Sequence, residues 1–190
     1  MTGVQTCALP IYRPDPVPDA DLQKIYDTMR YAPSGSNMRT WEFKILSDPS
    51  MIASLSSQIQ DALLQNPGLS EKYGLKLTAR KQKGVKDPIF FEAPHVLFLY
   101  SSLIMDMEAI NTGIVMTYAN IAAQSLGIGT CWIGLAQLMI EENPAIKKSL
   151  KIHGKCYGVL TLGYPSLCYK RLPPRTELKV KPLKPKESKI

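Results

Sequence analysis

Residues 106–134, DMEAINTGIVMTYANIAAQSLGIGTCWIG, decide how this chain is built. Asp106 suits the start of a helix, where a carboxylate meets the positive end of the helix dipole. From there to about Leu126 the residues are rich in Ala, Ile and Met, and Gly127 supplies the stop. The stretch predicts one long apolar helix. Asn111, Asn120 and Gln124 interrupt it, so residues 110–136 hold no run of about 18 uncharged apolar residues that could cross a bilayer. The helix is expected in the core, and no membrane partner is expected. GTCWIGLA, residues 129–136, follows as a strand or a tight extended turn.

Upstream, PHVLFLYSS (94–102) is a continuous apolar run with the length of a buried strand. Downstream, MIEENPAIKKSLKI (139–152) predicts one short helix, and CYGVLTLGYP (156–165) a last apolar strand. Near the N-terminus, Leu22, Ile25, Tyr26 and Met29 repeat at helical spacing, with Asp19 as the expected cap and Pro33 forcing the stop. WEFKILS (41–47) reads as a strand, and Asp48-Pro49 starts a helix that runs to about Leu64. Asn66-Pro67-Gly68 breaks the chain. Residues 70–87 carry Lys76, Arg80, Lys81, Lys83 and Lys86 and are expected as an exposed excursion. Helices and strands alternate without an internal repeat, which implies a layered α/β or α+β domain whose strand order is not readable.

The chain has 190 residues, 45% of them hydrophobic, enough for one domain with a substantial core. Its net charge is +7, but residues 170–189 hold eight Lys or Arg against Glu177 and Glu187. Most of the excess therefore belongs to a Pro-punctuated tail, and no nucleic-acid partner is expected. Cys131, Cys156 and Cys168 show neither a C-x-x-C spacing nor a His partner, and Cys7 lies apart. That scatter suits reduced thiols in a cytoplasm and excludes a disulfide framework or zinc centre. His95 and His153, the two histidines, have no readable catalytic partner and are expected to be structural. Gly127-x-Gly129 with Gly134 fails as a dinucleotide loop, because a helix precedes it and a strand follows. No acid, base or nucleophile of the chain's own is assigned, so a cofactor would have to bring the chemistry.

Three stretches together, RYAPSGSNMRTWEFKIL (30–46), residues 106–134, and YGVLTLGYP (157–165) with KRLPPR (170–175), resemble in order and spacing the flavin-dependent nitroreductase superfamily. The resemblance runs from residue 12 to about 180. It implies an α+β fold with a mostly antiparallel central sheet flanked by helices, and a homodimer with the long helix in its core. FMN would be bound at two subunit interfaces. By the same resemblance, Pro33, Ser34, Gly35, Ser36 and Asn37 lie against a flavin, usually the partner's. Trp132, Ile133, Gly134 and Leu135 pass over the flavin ring, with backbone amides near N5, and Gly134 admits the close approach of a ligand or another backbone. Arg171, assisted by Lys170, binds the FMN phosphate. The implied domain is 12–175, with 176–190 a basic tail and 76–86 a lid near the acceptor.

The chain departs from the family pattern in two places. The Arg-Arg-Ser-x-Arg stretch that grips the phosphate falls here on Thr6, Cys7, Ala8 and Pro10, and the usual Gln-Pro is Arg39-Thr40. MTGVQTCALPI, residues 1–11, matches codon for codon the translation of a common sequencing adapter, is set outside the domain as an artefact, and is expected to contribute nothing to the flavin site. IFFEAPHV (89–96), LGIGTCWIG (126–134) and GYPSLCYKRLPPR (163–175) look like nitroreductase domains fused to a four-iron ferredoxin module. The expected function is a cytoplasmic FMN oxidoreductase. It would reduce a nitro, quinone or related small-molecule acceptor in ping-pong fashion with NAD(P)H or a ferredoxin-type donor. Three alternatives stay open: a flavin-binding or regulatory domain without turnover, a truncated flavin domain of a ferredoxin-fused reductase that takes electrons from an iron-sulfur module, and a chain that lost the N-terminal contacts needed to fold.

Overall fold

The computed structural model describes residues 12–167, 176–179 and 181–182. Its centre is a pair of strands, β2 (His95–Ser101) and β4 (Lys155–Gly163), that are apolar on both faces because both faces are covered. Successive side chains of a strand point to opposite sides. Accordingly Val96, Phe98 and Tyr100 enter one core, while Leu97 and Leu99 enter the other. β1 (Trp41–Leu46) and β3 (Gly129–Trp132) form the edges, in the order β1-β2-β4-β3 with every pairing antiparallel. This is the layered, antiparallel α+β fold that the resemblance implied.

On one side lie α1 (Asp19–Met29) and α5 (Asp106–Ser125). Leu22, Ile25 and Met29 of α1 meet Val115, Met116 and Ala119 of α5 over Leu97, Leu99, Leu160 and Leu162. On the other side lie α2 (Pro49–Gln65), α6 (Gly134–Glu142) and α7 (Pro144–Ser149), which bury Ile59, Leu63, Ala136, Met139, Ile140 and Ile146 against Val96, Phe98 and Val159. Each large apolar side chain so buried contributes roughly 1.5–3 kcal/mol. α5 comes close enough to β4 that a Cβ on Gly158 would sit 3.0 Å from Met116 Cε. The turn into β4 requires glycine as well: Gly154 has φ +83°, and any Cβ there would collide with the Ser101 carbonyl.

Three local expectations change. Asp19 is the first residue of α1 rather than its cap; Pro18 holds that position and supplies no side-chain acceptor. Asp48 does cap α2, accepting from Met51 N at 2.9 Å. The excursion 70–87 is mostly helical: α3 (Pro67–Leu69), one wide turn (Ser70–Gly74) and α4 (Leu75–Gln82) follow one another. Leu77 is buried, Leu69, Tyr73 and Val85 pack on the same core, and Arg80 donates to Pro88 O at 2.7 Å. The segment is therefore a helical arm packed on the core, with exposed lysines. Finally, 139–152 does not form one helix. Asn143 ends α6 and then caps α7, accepting from Ala145 N and Ile146 N, with Pro144 at the first helical position.

Among the described residues no helix is long and apolar enough to cross a membrane, and no group of three or more His, Cys, Asp or Glu could hold a metal ion. α5 is unusual in being apolar on its outer side too. Met107, Ile110 and Ile121 are 46%, 58% and 61% exposed, and they share a stripe with half-buried Ile114.

Candidate functional site

α1 ends at Met29, and the chain from Pro33 to Thr40 bends sharply before entering β1. Gly35–Asn37 form a single tight turn, with Ser36 at φ 51°, Asn37 at φ 54° and Arg39 at φ 49°. Non-glycine residues in the left-handed region carry strain of about 1–3 kcal/mol each and persist only where the surroundings impose it. Here the surroundings are polar and buried. Gly35 N donates to Asn111 Oδ1 at 3.0 Å, Asn111 Nδ2 donates to Glu108 Oε1 at 3.0 Å, and Thr40 Oγ1 donates to Glu108 Oε2 at 2.5 Å. Ser101 Oγ donates to Thr40 O at 3.1 Å, and Ser34 Oγ accepts from Arg39 N at 3.1 Å. Glu108 and Asn111 are each only 1% exposed. Ser36 and Asn37 face outward, while Gly35 turns its N–H into the protein.

The second segment is built from backbone. Cys131 and Trp132 pair with Thr161 and Leu160, and Ile133 N donates to Val159 O at 2.8 Å. β3 ends at Trp132, which is 44% exposed and donates from Nε1 to Gln137 Oε1 at 2.9 Å. Ile133 is buried, Gly134 is exposed, and Leu135 packs on the core. Gly134 and Leu135 are the first residues of α6, so only Trp132 of the four belongs to a strand. Among the described residues, apart from its chain neighbours and the backbone of its own helix, no atom comes within 4 Å of a Cβ built on Gly134. The close approach of a second backbone, one of the two reasons for glycine there, is thus not found among the described residues.

The two segments attach to α5 at separated points, the first at Asn111 and the second at Asn120, which bonds Thr130. Nine residues of helix put these about 13.5 Å apart along the axis. No hydrogen bond between described residues joins the two segments. Arg39 Nε donates to Asn37 Oδ1 at 3.1 Å, so this unexpected cation is folded back onto the turn. Lys170, Arg171 and residues 1–11 lie outside the described residues.

His95 is structural. Its Nε2 accepts from Val17 N at 2.9 Å, which leaves the ring proton on Nδ1, 2.7 Å from Ser47 Oγ. Burial lowers its pKa from the ordinary value, against the opposing pull of the Asp19 carboxylate. Burial pushes the Cys156 thiol up to about 12, which leaves it inert as a nucleophile.

The description "Nitroreductase family" matches residues 11–164, most of the chain and all of the segments just described. The chain belongs to the nitroreductase family. A relative from Archaeoglobus fulgidus, provisionally named NADH dehydrogenase/NAD(P)H nitroreductase, is 26% identical over 158 residues, 82% of this chain and 78% of its own length. A nitroreductase with bound FMN from Bacteroides fragilis superposes with a TM-score of 0.71 at 23% identity, covering 91% of this chain and 93% of that one. Another with bound FMN, from Desulfitobacterium hafniense, gives 0.74 at 18% identity, with 93% of each chain covered. These likenesses establish the nitroreductase fold. Within it, Glu108 and Asn111 are the polar residues that sequence reading passed over. The available signal was their spacing of three, on the same helical stripe as the buried Thr112, Val115 and Met116.

Proposed function

We propose that this chain is an FMN-dependent oxidoreductase acting as a homodimer, transferring electrons from NAD(P)H to a nitro, quinone or related small acceptor in ping-pong order. The family match over residues 11–164 carries this reading. Three structural observations support it. The turn at 34–39 holds strained residues outward, the face beside Gly134 is open, and the exposed Met107, Ile110 and Ile121 stripe gives α5 an apolar surface suited to a second copy.

FMN would supply the two-electron redox chemistry. The chain's residues would bind and orient it: Ser34, Ser36 and Asn37 offer hydroxyl and amide hydrogen bonds, and Pro33 and Gly35 shape the turn. Trp132, Ile133, Gly134 and Leu135 offer an apolar face and backbone amides, and Lys170 and Arg171 would take the phosphate. The α5 separation of the two segments fits a site completed across two protomers. Scattered cysteines, one of them inert, suit a reducing cytoplasm.

A second reading, flavin binding without turnover, is favoured by Thr6, Cys7, Ala8 and Pro10, which stand where the family carries its phosphate-gripping arginines. The likeness of residues 89–96, 126–134 and 163–175 to ferredoxin-fused members supports a flavin domain that takes electrons from an iron-sulfur module. Purified protein should take up FMN, sediment as a dimer and oxidise NAD(P)H with a nitroaromatic acceptor. A version carrying Arg-Arg-Ser-x-Arg at those places should hold more flavin. Flavin uptake without oxidation by any donor would select the second reading, and no flavin uptake by either version would end both.

A further inference from the structure

We propose that Glu108 and Asn111 are positioning residues for the flavin, clasping both ends of the 33–40 loop so that Ser36 and Asn37 face the cofactor. The inference rests on the flavin-binding reading above. The left-handed residues 36, 37 and 39 all lie between the two clasped points, Gly35 and Thr40. Strain is thus confined to the stretch that the clasp spans.

The chemistry of the pair is specific. Asn111 must accept from Gly35 N and donate to Glu108, which only a side-chain amide does with one planar group. Aspartate would set two carboxylates side by side, and leucine would strand the Gly35 N–H and one Glu108 oxygen. Glu108 uses both oxygens, one for Asn111 and one for Thr40. It sits in the first turn of α5, where the helix dipole favours negative charge, and no cation pairs with it among the described ion pairs. An apolar side chain would fill the same space at lower desolvation cost, so packing alone does not account for a buried carboxylate here. What the carboxylate adds is a fixed loop shape. Gly35 completes the fit: a Cβ there would lie 3.1 Å from Met107 Cγ.

The test uses the full-length protein and the variants Asn111→Leu and Thr40→Val. Amide hydrogen exchange of residues 33–40 is measured without flavin, and FMN Kd and the visible circular dichroism of bound flavin are measured separately. Both variants should exchange faster in 33–40 while β2 and β4 exchange as in wild type. FMN Kd should rise about ten-fold, or about 1.4 kcal/mol, with an altered flavin dichroism. Unchanged exchange means there is no clasp. Faster exchange with unchanged Kd and dichroism means the clasp is only structural, and either result overturns the inference. If Asn111→Leu fails to fold, Thr40→Val decides alone, since it removes one hydroxyl at a half-buried position. A wild-type protein that takes up no FMN overturns the flavin reading and the positioning role with it, and is told apart because exchange in 33–40 still reports the clasp.

Discussion

The 33–40 loop and the 129–135 segment are both proposed to face the flavin, yet they are held in opposite ways. The first depends on side chains: Asn111, Glu108, Thr40, Ser34 and Ser101 fix a backbone that would otherwise relax. The second depends on the backbone ladder to β4 and on the burial of Ile133 and Ala136. A segment built on ladder bonds tolerates most surface substitutions. A loop built on a polar cluster can lose its shape to one, because each unpaired buried group is costly.

Truncation of the core anchor should break the backbone-held side hardest. Ile133→Ala, at a position 6% exposed, should cost about 2–5 kcal/mol in urea denaturation. Hydrogen exchange in 33–40 should stay as in wild type, and accelerated exchange there would show that the two regions are coupled.

Acidification tests a third anchor, a side chain outside both regions. His95 is buried neutral with its pKa below the ordinary 6.5. Its contribution to stability is therefore full above about pH 6.5 and declines as pH falls toward the folded pKa. Protonation also sets an N–H against the N–H of Val17, so the protection factor of the Val17 amide, corrected for its intrinsic exchange rate, should be lower at pH 5 than at pH 7 while those of β3 are unaffected. In a His95→Gln variant this pH step should vanish, and a persisting step would assign it to another group.

The smallest effect is the most discriminating. Gly134 has no positive φ and no neighbour near a Cβ, so Gly134→Ala should stabilise the flavin-free protein by about 0.5–1 kcal/mol, as alanine does early in a helix. If the flavin lies against this residue, the same variant should bind FMN more weakly. Stabilisation with unchanged FMN affinity would remove Gly134 from the site.

Much of the fold was legible because its signals are local. Asp48-Pro49 and the apolar runs of β2 and β4 announce their elements directly. The helical arm was not read, because a run of lysines drew attention from Leu69, Tyr73 and Leu77, which recur every four residues and all pack inward. The segments proposed to face the flavin were legible only by resemblance, and their anchoring was not. Glu108 and Asn111 look like interruptions of an apolar helix until the fold puts Gly35 and Thr40 beside them. A contact 68 or 76 residues away in sequence leaves no local trace.

The strand order has a consequence for how the chain is made. β4 lies between β2 and β3, although it is the last of the four to leave the ribosome. Until Gly163 has emerged, β2 lacks a partner on one side, β3 has no partner at all, and both cores miss Val159, Leu160 and Leu162. Folding is therefore loaded onto the end of synthesis, and nascent chains stalled before residue 155 should be held by chaperones or degraded rather than accumulate as stable intermediates.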